Sequence, residues 1–473
     1  MTDQSPQEHP MTETATMAMP QIHDSILDAI GNTPLVRLNR VNRGVRAQVL
    51  AKVEYMNPGG SVKDRIGIAM IEDAERSGRL KPGGTIVEPT SGNTGAGLAI
   101  AAAIRGYKTI FVMPDKMSDE KIRYLRALGA KVVITPTAVE PDDPRSYYSV
   151  SKRLAEETPN AILAGQYWNQ ANPDAHYRST GPEIWRQTAG KIDAFIAGMG
   201  TGGTISGTAK FLKEQNPNIQ VVGIDPVGSL YTDYFRTGQL GPAFGYKVEG
   251  VGEDFLPTTM HFQYVDDVVQ VGDKESFVMT RRMVREEGLF VGGSCGMAVA
   301  GAMRWLRTQN WDESKTAVIL LPDSGVRYIS KIFSDDWMRE NGFLESEPIS
   351  QLLDIRPRSV ISSKATHTVA QVIQDMKAND ISQMPVVRDD GTLVGLITEV
   401  DLLDYLLSGA GQMDHQISDI VSSAVATVGP DTSIDALTEV FSRGQVAVVV
   451  DESEVVRGII TKIDMIDYLA NKA

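Results

Sequence analysis

The chain is short of the residues that build metal and disulfide chemistry: among 473 residues it has one cysteine, Cys295, and six histidines. One cysteine cannot form an intramolecular disulfide or a Cys-rich metal site, and it suits a reducing compartment, so the cytoplasm is the expected location. The histidines, His9, His23, His176, His261, His367 and His415, include no pair at i, i+2 or i, i+4 that one element could aim at one ion. No metal is expected. Long apolar runs are also missing: Ala96 to Ile104 falls well short of the roughly 18 residues that a membrane span needs. Met1 to Pro20 contains no Lys or Arg and no hydrophobic centre, which does not match a secretory signal and reads as a disordered tail. Positive charge is in deficit, with 46 Lys and Arg against 60 Asp and Glu, a net charge of −14, and no segregated basic patch. Neither nucleic acid nor an anionic membrane surface is an expected partner.

What is present is the composition of an ordinary globular protein, 42% hydrophobic and 22% charged. From Ile26 to about Phe333, short β-branched runs alternate with longer helical patterns, as in α/β proteins built on parallel sheets. Strands are expected at Val49–Tyr55, Thr85–Glu88, Lys108–Met113, Lys131–Ile134, Ala194–Ala197, Gln220–Ile224 and Ala317–Leu321. Met338 to Pro348 is polar, acidic and closed by proline, so it reads as a linker between an α/β core over 21–337 and a different C-terminal part.

That C-terminal part repeats itself. Gly395 to Leu406 matches Gly458 to Leu469 at an offset of 63, with seven of twelve positions identical. Before each copy an amphipathic helix (Thr368–Lys377, then Ser433–Ser442) leads into an apolar strand (Met384–Val387, then Val446–Val450). Two short β/α units of this kind pack on each other. The pair, over 349–411 and 412–473, resembles tandem CBS domains, small α+β modules that bind adenosyl compounds in the cleft between their halves. By that resemblance Thr398, Asp401, Thr461 and Asp464 would contact phosphate or ribose of a ligand such as S-adenosylmethionine or an adenine nucleotide. Capping of the helices expected from Val400 and Ile463 is the simpler use of the same residues.

In the α/β part, Gly198-Met-Gly-Thr-Gly-Gly203 follows a strand and precedes a helix expected near Thr204, which matches G-x-G-x-x-G. Asp225, at the end of the next strand, stands where a ribose-binding acid would complete a dinucleotide site. The loop shows that a phosphate can be bound at a helix N-terminus; it does not say whose. Three other segments bear on the choice. Asn57-Pro-Gly-Gly-Ser-Val-Lys-Asp-Arg65 places Lys63 at the start of a helix, where a positive charge is unfavourable, so a depressed pKa or a covalent role is expected. Thr90-Ser-Gly-Asn-Thr-Gly95 is a second turn rich in small donors, suited to a carboxylate. Leu321-Pro-Asp-Ser-Gly325 ends a late strand at the edge where α/β sheets build sites.

These four motifs together, running from the Asn57 and Thr90 segments through the Gly198 loop to Leu321 within Ile26 to Leu344, resemble the fold-type II pyridoxal-phosphate enzymes of the cysteine synthase and cystathionine β-synthase group. The resemblance implies two open, mainly parallel sheets flanked by helices, and pyridoxal 5'-phosphate as cofactor. It implies Lys63 as the Schiff-base lysine and catalytic base, Asn93 on the ring hydroxyl, and Ser324 on the pyridine nitrogen. Gly200, Thr201, Gly202, Gly203 and Thr204 would cradle the phosphate, and Thr90, Ser91, Thr94 and Gln166 the substrate carboxylate. The dinucleotide reading then recedes, and Asp225 becomes a strand-end residue.

A neutral Ser324 cannot keep the pyridine nitrogen protonated as a carboxylate would, which favours β-elimination and β-replacement over transamination. Val248-Glu-Gly-Val-Gly-Glu-Asp-Phe-Leu-Pro257 and Gln166-Tyr-Trp-Asn169 resemble the cystathionine β-synthase branch, with Glu253 where some members carry tyrosine. The implied reaction joins serine and homocysteine into cystathionine and water, a step of transsulfuration and cysteine biosynthesis; O-acetylserine with sulfide is the alternative. A non-catalytic nucleotide sensor is the remote one. The resemblance further implies a homodimer or higher homo-oligomer. With only His9 and no cysteine in the first twenty residues, no haem is expected. Cys295 is expected in a turn before a helix over Met297–Leu306, as a tolerated small side chain.

Overall fold

The computed structural model describes residues 22–473, apart from 91, 116, 118, 137–138, 140–142, 345–347, 356–359, 410, 435 and 473. The expected tail, Ser91 and part of the expected linker lie outside the described residues. Two compact units emerge, one ending at Phe343 and the other beginning at Leu344.

The first unit has ten strands: β1 Leu35–Arg37, β2 Gln48–Val53, β3 Thr85–Pro89, β4 Lys108–Pro114, β5 Lys131–Thr135, β6 Ala161–Leu163, β7 Ala194–Gly198, β8 Gln220–Pro226, β9 Asp267–Val271 and β10 Thr316–Leu321. They form a six-stranded sheet in the order β1-β2-β10-β7-β8-β9 and a four-stranded sheet in the order β5-β4-β3-β6. Every pairing is parallel except β1 with β2. The chain leaves the larger sheet after β2, builds the smaller one from β3 to β6, and returns through β7. Strands such as Thr-Ala-Val-Ile-Leu-Leu in β10 are buried along their whole length, because helices cover both faces of a parallel sheet. Each sheet has its own apolar core, around Phe195 and Val318 in the larger and around Ile86 and Phe111 in the smaller.

The seven expected strands all form, with ends shifted by one or two residues. Two helices bring the site loops together. Helix Lys63–Arg76 packs on helix Asn93–Arg105 with the Gly97 backbone against that of Lys63: a Cβ on Gly97 would lie 2.5 Å from the Lys63 carbonyl oxygen. Just beyond, a buried charge network anchors the start of the first helix. Arg65 donates from Nε and Nη2 to Glu54 at 2.7 and 2.9 Å and from Nη1 to Glu183 at 2.7 Å, while Lys52 donates to Glu183 at 2.9 Å. Pairing of this completeness is what allows charges to be buried.

Two expectations are corrected. Cys295 lies inside helix Gly293–Thr308, not in a turn before it; Gly296 is there for close packing, since a Cβ would collide with the Thr280 hydroxyl and the Ser276 carbonyl of helix Asp273–Glu287. The linker does not begin at Met338. That residue is fully buried in helix Asp335–Glu340, and Phe343 packs on Phe277 and Trp337 with ring centroids 5.1 and 5.8 Å apart.

The second unit holds β11 Gln383–Val387 paired antiparallel with β12 Leu393–Thr398, and β13 Ala426–Val428 beside β14 Ala447–Val450 and β15 Val456–Ile460. The repeat is visible in the bulges, between Val386 and Val387 in one copy and Val449 and Val450 in the other. Ile349 and Leu352, assigned from sequence to the first repeat, pack in the core of the second with Leu437, Val449 and Ile460. Among the described residues, no helix is long and apolar enough to cross a membrane.

Candidate active site

Four strands end in the loops singled out from sequence, and backbone contacts draw those loops together. Val62 N donates to Pro322 O at 2.8 Å, Ser324 N lies 3.4 Å from Gly60 O, and Ser61 pairs with Asp323 as an isolated bridge. Asn93 Nδ2 donates to Asp323 Oδ2 at 2.9 Å, so Lys63, Asn93 and Ser324 belong to one cluster. Lys63 and Asn93 each open a helix, and Ser324 caps the 3-10 turn Gly325–Tyr328 by accepting from Val326 N at 3.3 Å. Burial lowers the Lys63 pKa against the opposing pull of Asp323 and Glu54.

The loop after β7 opens helix Gly203–Gln215. Gly202 has φ +82°, and a Cβ there would lie 2.5 Å from the Met260 Cα, so only glycine fits. Thr201 Oγ1 accepts from Asn172 Nδ2 at 3.0 Å, while Tyr231 donates its hydroxyl to Gly200 O at 2.6 Å. Thr204 Oγ1 is 3.2 Å from His176 Nε2, and His176 Nδ1 is 2.9 Å from Thr180 Oγ1. Burial holds the His176 pKa down at about 3, so its ring stays neutral. Asn172 Oδ1 is buried with no hydrogen-bond partner among the described residues.

On the smaller sheet, Thr90 Oγ1 accepts from Gly92 N and Gly95 N at 3.1 and 3.2 Å, which shapes the turn itself. Thr94 donates to Gln166 Oε1 at 2.6 Å. Gln166 is held in turn by Glu88, whose carboxylate accepts from Gly165 N at 2.7 Å and Gln166 N at 3.3 Å. Glu88 is fully buried without a cationic partner among the described residues, and burial pushes its pKa up to about 7. Glu88 and Tyr231 escaped the sequence reading, while Asn172 and His176, which follow the Gln166-Tyr-Trp-Asn169 segment and share its family resemblance, were given no role there; a charged residue inside the apolar run Thr-Ile-Val-Glu-Pro was the one signal available for Glu88.

Asp225 is buried at the end of β8, where its Oδ2 accepts from Thr232 N at 3.0 Å and Thr232 Oγ1 at 2.7 Å. Its carboxylate serves the turn into helix Tyr231–Thr237. Glu253 adjoins the hydroxyl of Tyr167, and burial beside Asp254 pushes it up to about 8. In the second unit, Thr398 N and Oγ1 both donate to Asp401 Oδ2, at 2.9 and 2.6 Å, and Thr461 N and Oγ1 do the same to Asp464, at 2.8 and 2.6 Å. The first pair is a reciprocal helix cap at the start of Glu399–Leu407, with Asp401 N donating back to Thr398 Oγ1 at 3.2 Å, and the second makes the aspartate half of that contact at the start of Lys462–Lys472.

Comparison with known proteins agrees with this geometry. Residues 26–323 match the family model described as pyridoxal-phosphate dependent enzyme, and residues 354–408 and 417–471 each match the CBS domain. A cystathionine beta-synthase of Oryctolagus cuniculus is 40% identical over 494 residues, 99% of this chain and 88% of the relative. A cysteine synthase of Staphylococcus aureus is 45% identical but aligns with only 65% of this chain, and with 96% of its own length. The crystal structure of an O-acetylserine dependent cystathionine beta-synthase from Helicobacter pylori superposes with a TM-score of 0.60 at 37% identity, covering 66% of this chain and 98% of that one. The chain therefore belongs to the pyridoxal-phosphate-dependent enzymes and, within them, to the cystathionine β-synthase family.

Proposed function

We propose that this lyase condenses L-serine with L-homocysteine to cystathionine and water, and that residues from Leu344 onward regulate it. The residues fit the cofactor. The glycine loop opens a helix N-terminus suited to a phosphate, Gly202 holds the left-handed turn where a Cβ would collide with Met260, and burial of the Lys63 amine favours the neutral form that attack on an aldehyde requires. Gly200 to Thr204 would hold the phosphate, Asn93 the ring hydroxyl, Ser324 the pyridine nitrogen and Lys63 the aldehyde carbon. With pyridoxal phosphate bound, electrons are drawn from the substrate α-carbon, so the α-proton is loosened and the β-substituent can leave.

The rest is the work of the chain's own groups. Lys63 Nζ takes the α-proton and hands a proton to the departing hydroxyl, a double use made possible by its lowered pKa. Thr90, Thr94 and Gln166 hold the substrate carboxylate, a part the resemblance also gives to Ser91; Glu88 fixes Gln166 from behind. Ser324 offers the pyridine nitrogen a hydroxyl in place of a carboxylate, which directs the flow of electrons to the β-carbon.

Coverage carries the choice of acceptor: the cystathionine beta-synthase relative aligns with 99% of the chain and the cysteine synthase with 65%. Cysteine synthesis from O-acetylserine and sulfide is the second reading, favoured by the 45% identity of that shorter match. Steady-state assays of serine or O-acetylserine, each against homocysteine or sulfide, separate them. Serine with homocysteine should give the highest kcat/KM, and a higher value for O-acetylserine with sulfide would overturn the assignment. The reading also includes action in the cytoplasm, a homodimer or higher homo-oligomer, no haem, and an adenosyl ligand at the CBS pair near Thr398, Asp401, Thr461 and Asp464.

A further inference from the structure

Asp323 is given no role by the reaction above, yet it touches the cluster from several sides. It is 1% exposed. Its Oδ2 accepts from Asn93 Nδ2 at 2.9 Å and from the Tyr328 hydroxyl at 2.7 Å, and its Oδ1 lies 3.9 Å from Cys295 Sγ. Its backbone oxygen accepts from Gly292 N at 3.1 Å and from Cys295 Sγ at 3.3 Å, and its backbone bridges to Ser61. The cations around this cluster are Lys63, whose pKa Asp323 raises, Lys121, which lies 4.9 Å above the Tyr328 ring and is paired with Glu249, and Arg327, whose charge acts on the Tyr328 hydroxyl. Glu54 is the other anion acting on Lys63.

An ionised carboxylate only accepts hydrogen bonds, so whichever end of the Asn93 amide faces it must be the NH2 end. That contact fixes the amide and leaves one N–H uncommitted to Asp323. We propose that Asp323 is a positioning residue: it orients the Asn93 amide so that one N–H remains for the cofactor, and, bridged to Ser61 at the start of the Lys63 helix, it adds a negative charge to the cluster that holds Lys63. The proposal rests on the pyridoxal-phosphate reading and adds to it a residue that acts through two others.

The test is a double-mutant cycle on cofactor affinity, read by titrating the apoprotein with pyridoxal phosphate, for wild type, Asn93→Ala, Asp323→Asn and the double variant. Each single change should weaken binding by about tenfold, the loss of a typical hydrogen bond. The double variant should be no weaker than the worse single within about twofold, because both changes remove one interaction. Losses that multiply would overturn the proposal. The second readout is the pH titration of the visible band of the bound cofactor. Removing an anion disfavours the protonated form, so Asp323→Asn should move the transition down by about one pH unit. An unmoved transition would overturn the charge role. Tyr328→Phe deletes the other donor to Oδ2 while keeping the charge, and should leave the transition in place; an equal shift there would mean a merely structural effect. Should Asp323→Asn fail to fold by circular dichroism, Asp323→Ser carries the same cycle. Wild-type protein that binds no pyridoxal phosphate would refute the underlying reading instead, a result distinct from any variant's behaviour.

Discussion

Replacing Glu88 by glutamine should change how the stability of the first unit depends on pH. The folded protein holds this carboxyl at about 7 against an ordinary 4.5, because burial outweighs the N–H groups of Gly165 and Gln166 that favour its charged form. A pKa raised in the folded state means that ionisation is harder there than in the unfolded chain. The cost is absent below pH 4.5, grows as pH rises, and levels off above 7 at about 3 kcal/mol, taking about 1.4 kcal/mol for each tenfold. Between pH 5.5 and pH 8 the wild type should therefore lose about 2 kcal/mol through Glu88 alone. His176 works in the opposite direction, since its pKa is held at about 3 and its stabilisation is lost as pH falls below its ordinary 6.5. The wild-type profile mixes the two, whereas the difference between Glu88→Gln and wild type isolates Glu88. Urea unfolding followed by tryptophan fluorescence reads the right unit, because all five tryptophans, Trp168, Trp185, Trp305, Trp311 and Trp337, precede Phe343. The stability of Glu88→Gln relative to wild type should rise by about 2 kcal/mol from pH 5.5 to pH 8. Parallel profiles would refute the reasoning. A glutamine can accept from only one of the two N–H groups, so KM for serine should rise more than kcat falls.

The parallel strands were legible because burial on both faces writes them as short, largely apolar runs, as in β10. In the first unit the strands that escaped are β1 and β6, three residues each and only partly buried, and β9, which opens on an exposed aspartate. The site motifs were legible for a different reason: tight strand-to-helix loops need glycine at fixed places, and Gly202, at φ +82° against Met260, shows that need. Glycine also misled. In Gly292-Gly-Ser-Cys-Gly296 it reads as a turn, but Gly296 serves helix packing, a requirement that depends on a partner helix not adjacent in the text. What joins the motifs was not readable either. The bonds from Asn93 to Asp323 and from Glu88 to Gln166 link residues on different elements, and only the folded topology pairs them. In the second unit the threonine and aspartate pairs were read as ligand contacts or caps; the first pair caps its helix reciprocally, the second makes the aspartate half of that contact, and their ligand role is a matter for binding experiments.

Lys63→Ala should cut turnover at least a hundredfold with the far-ultraviolet spectrum unchanged; residual activity above a hundredth of wild type would remove Lys63 from its role. Gly202→Val should release pyridoxal phosphate on dialysis, since a side chain at φ +82° beside Met260 cannot fit, and retention equal to wild type would mean that the loop holds no phosphate. Asp401→Ala and Asp464→Ala each break a helix cap, at about 1 kcal/mol, and at least one should abolish the response to S-adenosylmethionine or an adenine nucleotide in calorimetry; binding unaltered in both would place the ligand elsewhere. The boundary between the units allows a sharper test, because composition and packing place it differently. A chain ending at Trp337, where the polar stretch begins, loses Met338 and Phe343, both buried in the first unit. Exposing the pocket of two such side chains costs about 3 to 6 kcal/mol, much of the stability of an ordinary domain. A chain ending at Phe343 keeps the contacts with Phe277 and Trp337 and loses none of the residues assigned to chemistry. The longer truncation should fold, bind pyridoxal phosphate and make cystathionine, while the shorter one should unfold at distinctly lower urea concentration. Equal urea midpoints would show that Met338 and Phe343 contribute nothing to the first unit, and a folded but inactive longer truncation would show that residues beyond Phe343 complete the active site.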